Sequence, residues 1–286
     1  MQGFLGLSEV IVARRSTSIL ALLGVVSLLF LAASPAHGGG SQATSCGASS
    51  YSYAGLQSDR RAHGVAAALV PEQSPDVSFG HVAGWIGVGG TSLGPGGTAE
   101  WLQTGFAAFD GDQISRMYYE VTVAGSTPRY VELDSHVGQG ERHAFAVLEV
   151  SRRPSWWRVW VDHKAVTPPI HLPGSHGKWA PQAVAENWNG NRGACNAYDF
   201  RFANVRLARH AGGSWRSLRA GYVFHDAGYE VDQTSSRPRS FVAASVLRPA
   251  TVRQLAAAAP GGASPADAAA QPATDAAAPV DPSFSP

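Results

Sequence analysis

The stretch Met117-Tyr118-Tyr119-Glu120-Val121-Thr122-Val123 alternates between two kinds of position. Its odd-numbered positions are all apolar or aromatic, whereas its even-numbered positions include Glu120 and Thr122. A period of two is that of a β-strand with one buried face, and the segment 130–134 repeats the pattern. Each of the two stretches is therefore predicted to be a half-buried strand.

Similar segments occupy most of the middle of the chain, at 64–70, 81–88, 100–109, 143–150, 156–161, 182–188, 200–208 and 218–224. Turn-forming residues such as Asp110-Gly111-Asp112 separate them, and Asp162-His163 is predicted to turn a hairpin. Many short strands at this spacing predict an all-β fold, a two-sheet antiparallel β-sandwich.

Both ends of the chain differ from this middle region. Arg14 and Arg15 precede an apolar run, 19–33, which predicts a signal peptide over residues 1–38 with cleavage after Ala36 or Gly38. A retained membrane anchor is the alternative, but the run is shorter than the roughly 20 residues that cross a bilayer. We therefore expect a secreted protein.

The domain boundaries follow from composition. Residues 39–47 are predicted to be a short linker, 48–246 the β-sandwich domain and 247–286 a disordered tail, because from Leu255 onward the chain is mostly Ala, Pro, Gly, Ser and Thr. The sequence leaves open whether residues 39–80 are a removable pro-segment or the first strands.

The chain has two cysteines, Cys46 and Cys195. In an oxidising compartment they are predicted to form a disulfide, which closes a long loop and on the chain-entropy model stabilises by roughly 4 to 5 kcal/mol. Two separate buried thiols, or a lipid-modified Cys46, are the alternatives.

The charge balance excludes some partners. With 22 Lys and Arg against 21 Asp and Glu the formal net charge is +1, so the chain offers no general attraction for nucleic acid or an anionic membrane. Charged residues make up 15% of the chain, and Gly (32) and Pro (18) are frequent, which disfavours a helical bundle.

Four weak motifs are better explained as loops and turns. The segment 90–94 matches G-x-S-x-G, and 87–90 is glycine-rich, but no helix is predicted to follow either one. His163, His171 and His176 lie in one Pro-rich connection without the spacing of a zinc site. Asp110 and Asp112 lack the further acidic positions of a calcium loop. The sequence thus predicts no metal and no cofactor.

Two polar residues inside apolar strands are the candidate chemistry. Gln103 lies in 101–106 and Glu186 in 184–188. A carboxyl group in a groove can transfer protons, and a primary amide can stabilise an oxyanion. Seven tryptophans also fall in this region, more than a sandwich easily buries, so some are expected to line a surface that meets a sugar or a polypeptide: Trp85, Trp101, Trp156, Trp157, Trp160, Trp179 and Trp188.

At these residues the sequence resembles the glutamic peptidases, the eqolisin family of acid endopeptidases. The resemblance rests on four ordered pieces: Trp85-Ile86-Gly87-Val88, Gln103-Thr104-Gly105, Tyr118-Tyr119-Glu120 and Ala185-Glu186-Asn187-Trp188. It implies a concanavalin-like jelly roll in which Glu186 is the general base and Gln103 stabilises the oxyanion. It further implies a substrate groove, and we expect Trp85, Tyr119, Glu120 and Trp188 to border it.

The leading hypothesis is a secreted acid endopeptidase, active without a metal or a covalent intermediate, whose partner is a polypeptide substrate and which we expect to be a monomer. A non-catalytic lectin-like module that binds glycans is the main alternative. A glycoside hydrolase is a third possibility, which requires two carboxyl groups facing each other.

Overall fold

The computed structural model describes residues 51–190, 196–236 and 239–246, and these residues form sixteen strands. In chain order they are β1 (Tyr51–Ser58), β2 (Gly64–Pro71), β3 (His81–Gly90), β4 (Glu100–Phe109), β5 (Ser115–Thr122), β6 (Arg129–Val137), β7 (His143–Glu149), β8 (Trp156–Val161), β9 (Lys164–Ala165), β10 (Ile170–His171), β11 (Gln182–Trp188), β12 (Asp199–His210), β13 (Gly213–Ser217), β14 (Gly221–His225), β15 (Tyr229–Ser236) and β16 (Arg239–Ser245). A 3₁₀ turn, Pro95–Gly97, is the one helical element of the described residues. None of the described helical structure is long and apolar enough to cross a membrane.

The strands form two antiparallel sheets. The seven-stranded sheet has the order β14-β1-β11-β3-β4-β5-β6, and the nine-stranded sheet runs β10-β8-β7-β2-β12-β16-β15, with β9 paired to β8 and β13 to β12. One apolar core draws on both sheets, with Ile86, Leu102 and Phe106 from the first and Leu69 and Phe202 from the second. The predicted all-β, two-sheet antiparallel sandwich is confirmed.

Several strand predictions match the structure and others need adjustment. The bounds of β4, β8 and β11 agree with prediction, and Asp162 and His163 form the predicted hairpin turn with positive φ angles of 46° and 64°. The predicted strand 218–224 instead begins only at Gly221, where β14 starts, because residues 218–220 connect β14 to β13.

The question of residues 39–80 has a structural answer for the part that is described. Strand β1 lies between β11 and β14, and β2 lies between β7 and β12, so both are interior strands. Residues 51–71 are therefore part of the sandwich. Cys46, Cys195, the predicted signal peptide and the predicted tail lie outside the described residues, so those predictions remain predictions.

The glycine-rich loop between β3 and β4 covers a buried carboxyl group. Glu100 is fully buried, and a Cβ atom on Gly94 would lie 2.9 Å from the Cβ of Glu100, so the loop can approach this closely only with glycine there. Within the described part of the chain, no side chain donates a hydrogen bond to either carboxylate oxygen of Glu100. Burial raises the pKa of Glu100 to about 7, an effect that the nearby Ala124 backbone offsets only in part.

This burial predicts a pH-dependent stability. A carboxyl group whose pKa is raised by folding destabilises the folded state once it is charged. The free energy of unfolding is therefore expected to fall as the pH rises from about 4.5 through about 7. We expect Glu100→Gln to raise the melting temperature by several degrees at pH 8 and to change it little at pH 4, as measured by thermal unfolding. The exposed Glu132→Gln is the control, and equal effects of Glu100→Gln at both pH values would contradict the prediction.

Candidate active site

The alternation of the strands places the predicted catalytic residues on one face of the seven-stranded sheet. Gln103 pairs directly with Glu120 on β5 and with Gly87 on β3. Gly87 lies two residues from Trp85, and Trp85 pairs with Val184, which lies two residues from Glu186. Directly paired residues share a face, as do residues two apart. We call this surface, with Trp85, Gln103, Glu120 and Glu186, the site face.

The site face points away from the second sheet. A separate apolar cluster lies on it, formed by Ala83, Trp85, Ala107, Tyr118 and Val184, whereas their neighbours in sequence belong to the core shared by both sheets. Aromatic rings flank this second cluster, and those packed against it are Tyr53, Phe109, Tyr130 and Phe224. The site face is therefore a polar patch within an aromatic surface.

Two hydrogen-bond partners hold Glu186. Its Oε1 atom lies 3.0 Å from Nε2 of His81, and its Oε2 accepts a hydrogen bond of 3.1 Å from the indole N–H of Trp85. The Glu186 side chain keeps 13% of its surface exposed. Each carboxylate oxygen can accept more than one hydrogen bond, so both retain capacity for water or substrate.

Tyr118 holds Gln103. The amide Nε2 of Gln103 donates to the hydroxyl of Tyr118 at 3.2 Å, and Tyr118 itself is 1% exposed. Burial, and then the negative charges of Glu186 and Glu120, raise the pKa of Tyr118 well above 10, so its hydroxyl stays protonated. Gly87 is the residue of β3 that lies opposite Gln103, and a Cβ atom on it would lie only 2.9 Å from the Cβ of Gln103. Glycine there leaves space beside Gln103.

Glu120 is electrostatically coupled to Glu186. Its Oε1 accepts a hydrogen bond of 2.8 Å from the indole N–H of Trp101. Burial and then the charge of Glu186 raise the pKa of Glu120 to about 6, while the Trp101 hydrogen bond and His81 act in the opposite direction. Glu120 is therefore neutral in mild acid.

The structure brings together five of the six residues predicted for the site. Trp188 lies on the site face, opposite His81, with the two ring centres 5.7 Å apart. Tyr119 lies on the other face of β5, in the core between the sheets, and Arg129 approaches its ring at 5.9 Å. The tyrosine on the site face is Tyr118, because it shares the even-numbered positions of Glu120.

His81 and Tyr118 are the site residues that the sequence prediction omitted. Both have a signal in the sequence, since His81 lies four residues before Trp85 on the same strand and Tyr118 lies two residues before Glu120. Two positions considered as alternatives have other roles. Asp112 forms an ion pair of 2.7 Å with Arg116, and Trp179 is buried in the core against Trp157.

The solved structures to which this chain is similar include two peptidases and a β-glucanase. The structure of scytalidoglutamic peptidase with a transition-state analogue inhibitor aligns with 68% of this chain and 98% of its own, at 11% identity and a TM-score of 0.49. SCP-B, a member of the eqolisin family in complex with the tripeptide Ala-Ile-His, aligns over the same shares at 14% identity and a TM-score of 0.44. For Bacillus licheniformis β-glucanase the shares are 51% and 64%, with 12% identity and a TM-score of 0.33.

No family model matches the sequence, and no curated protein sequence matches it. The similarity to the solved structures is distant, so it does not show what the site does. The function is therefore argued from the side chains of this chain.

The coupling of the two carboxyl groups predicts a second pH-dependent stability. Because the pKa of Glu120 is raised from 4.5 to about 6, its charged form costs up to about 2 kcal/mol of folding free energy, a cost that appears as the pH rises through this window. We expect Glu120→Gln, which keeps an acceptor for Trp101, to increase the free energy of unfolding at pH 7 and to leave it unchanged at pH 4, as measured by urea unfolding. Equal stability of the two proteins at pH 7 would contradict the raised pKa of Glu120.

Proposed function

We propose that the protein is an acid endopeptidase of the glutamic type, in which Glu186 activates water and Gln103 stabilises the oxyanion. The observation that carries the proposal is the arrangement around Glu186. A carboxylate held by His81 and Trp85 shares one sheet face with the amide of Gln103 and with a second carboxyl group, Glu120. Secretion, as predicted from the N-terminal sequence, belongs to the same proposal.

Glu186 is the group suited to take a proton from water. Its two oxygens are oriented by donors on β3, which limits the motion of the carboxylate without using all of its acceptor capacity. As general base it would accept a proton while the water oxygen attacks the peptide carbonyl carbon, and it would then donate that proton to the leaving amine.

Gln103 is suited to stabilise the charge that develops on the carbonyl oxygen. One amide N–H is directed to Tyr118, and the other has no partner among the residues that the structure describes, so it can be offered to an oxyanion. Tyr118 is a positioning residue in this mechanism, because its buried hydroxyl fixes the orientation of the amide. No metal or covalent intermediate is required for these steps.

Glu120 accounts for activity in mild acid. Below about pH 6 it is neutral, so it adds no negative charge beside Glu186 and can itself donate a hydrogen bond to the substrate. Above that pH two charges would be confined to one desolvated face. The aromatic side chains around the site, among them Tyr53, Tyr130 and Trp188, would contact the side chains of an extended polypeptide.

Carbohydrate hydrolysis is a second candidate function, and one observation favours it. Glu120 and Glu186 form a pair in which one carboxyl group has a raised pKa and the other is held as an acceptor, which is the requirement for a general acid and a base or nucleophile at a glycosidic bond. Flat rings beside such a pair also suit a sugar. Gln103 has no required role in this alternative, so a variant at Gln103 separates the two functions.

The first prediction from the proposal concerns Glu186. We expect purified protein to cleave casein at pH 3 to 5, and Glu186→Gln to lower kcat/KM by roughly 10² to 10⁴-fold, because the amide cannot accept the proton. Glu132→Gln is the matched control, since Glu132 is an exposed carboxyl group on β6, at the edge of the same sheet, in an ion pair with Arg116. It should retain full activity.

Two results would contradict the peptidase proposal. Cleavage of casein by Glu186→Gln at the wild-type rate would exclude Glu186 as the base. Hydrolysis of a β-glucan by the wild-type protein, with no cleavage of casein and no loss in Gln103→Ala, would replace the peptidase proposal with the carbohydrate one.

A second prediction concerns His81 as a positioning residue. Loss of its contact with Glu186 frees one carboxylate oxygen, and misplacement of a reacting group by about 1 Å can cost about 100-fold in rate. We expect His81→Ala to lower kcat by about 10 to 100-fold with little change in KM, and His81→Gln, whose amide can still donate, to recover part of the loss. Steady-state kinetics on a peptide substrate measures both values, and an increase in KM alone would contradict the role.

A further inference from the structure

A second cluster of titratable side chains lies on the nine-stranded sheet. His63 immediately precedes β2, Glu149 is the last residue of β7, and His176 belongs to the segment between β10 and β11. The three residues are far apart in sequence but meet at one end of this sheet. Of the three histidines that the sequence analysis compared, His176 is the one that joins this cluster; His171 instead stacks on Trp156.

The geometry of the cluster centres on the carboxylate of Glu149. Its Oε2 lies 2.6 Å from Nδ1 of His63, and its Oε1 lies 2.8 Å from Nδ1 of His176. One donor atom from each residue can be chosen so that all three atoms lie within 4.8 Å of one another. The donor atoms around a zinc ion are roughly 3 Å apart, since each lies about 2.0 to 2.2 Å from the metal. Small side-chain movements would therefore give a coordinating arrangement.

The carboxylate of Glu149 is buried more deeply than the imidazoles beside it. Its side chain is fully buried, whereas His63 is 21% and His176 51% exposed. Buried charges in proteins are usually paired or coordinate a metal ion. A divalent cation between the carboxylate and the imidazoles would compensate the charge of the carboxylate. The exposure of His176 leaves a route by which the ion could enter.

Backbone hydrogen bonds keep the ligands in place. The amide of Glu149 donates to the carbonyl oxygen of His63 at 2.9 Å, so these two residues are joined by the main chain as well as by their side chains. The amide of Ser155 donates to Oε1 of Glu149 at 2.6 Å, and the amide of His176 donates to the hydroxyl of Ser155 at 3.3 Å. Gly177 follows, and a Cβ atom there would lie 3.2 Å from the ring of His63. The segment is thus closely packed over the cluster.

We propose that His63, Glu149 and His176 bind a divalent transition-metal ion of the zinc type. Two imidazole nitrogens and one carboxylate are ligands that zinc accepts, and such a set leaves a coordination position open to water. The bound ion would tie the segment before β11 to the ends of β2 and β7. The proposal does not depend on the function of the site face, which lies on the other sheet.

The test is zinc binding by protein purified without a polyhistidine tag and stripped with a chelator. We expect isothermal titration with ZnCl₂ at pH 7.5 to show saturable 1:1 binding, and the melting temperature to rise with zinc. Binding should weaken at pH 5.5, because protons compete for the imidazoles. His176→Ala should weaken binding by at least about 100-fold, as expected for the loss of a direct ligand.

The controls separate this site from surface histidines and from misfolding. His143→Ala removes an imidazole that also lies between two carboxyl groups, at 2.7 Å from Asp162 and 3.1 Å from Glu141, and it should bind zinc as the wild type does. His176 is half exposed in a connecting segment, so His176→Ala is expected to fold, and circular dichroism checks this. Glu149→Gln is a second variant that changes one of the three proposed ligands. Absence of saturable binding, unchanged binding by His176→Ala, or loss of binding in His143→Ala would overturn the proposal.

Discussion

Successive side chains of a β-strand point to opposite faces of the sheet. In the seven-stranded sheet this alternation places the apolar core residues on one face and the proposed catalytic residues on the other. Ile86, Leu102 and Ala185 face the second sheet, while their neighbours Trp85, Gln103 and Glu186 face away from it. A slip of one residue in any of the three strands would send a polar group into the core, so the need to bury the apolar set fixes the register of the polar set. The position of the proposed catalytic groups is in this sense a consequence of packing.

The protein accommodates buried carboxyl groups in different ways. Glu186 has two side-chain donors, Glu120 has one donor and a competing neighbour, and Glu149 lies between two imidazoles. Glu100 has no side-chain donor among the described residues and has the highest pKa of the carboxyl groups with a resolved value. Because a buried charge needs donors or a counter-charge, these environments indicate which groups are charged at a given pH. As the pH falls, Glu100 becomes neutral near pH 7 and Glu120 near pH 6, so both buried charges are absent under the mildly acidic conditions of the proposed activity.

Much of the fold and part of the site were predictable from the sequence, for physical reasons that particular residues illustrate. Strands β4 and β11 combine a two-residue period with clear turns, so their bounds and the inward or outward direction of Gln103 and Glu186 follow from local sequence. The same rule, applied strictly, selects Tyr118 rather than Tyr119, since Tyr118 shares the alternate positions of Glu120. His81 required the register between β3 and β11, and the cluster of His63, Glu149 and His176 required contacts between residues as many as 113 apart in the numbering, which no local pattern contains.

The interior position of β1 has a practical consequence for any shortened form of the protein. Tyr53 on this strand lies directly opposite Glu186, and the backbone of β1 pairs with β11 along seven residues. Proteolytic trimming or a cloning boundary beyond Tyr51 would strip that partner and leave the strand that carries the proposed base with an unsatisfied edge, which invites intermolecular pairing and aggregation. Any shortened form of the protein therefore has to keep the whole of β1, which begins at Tyr51.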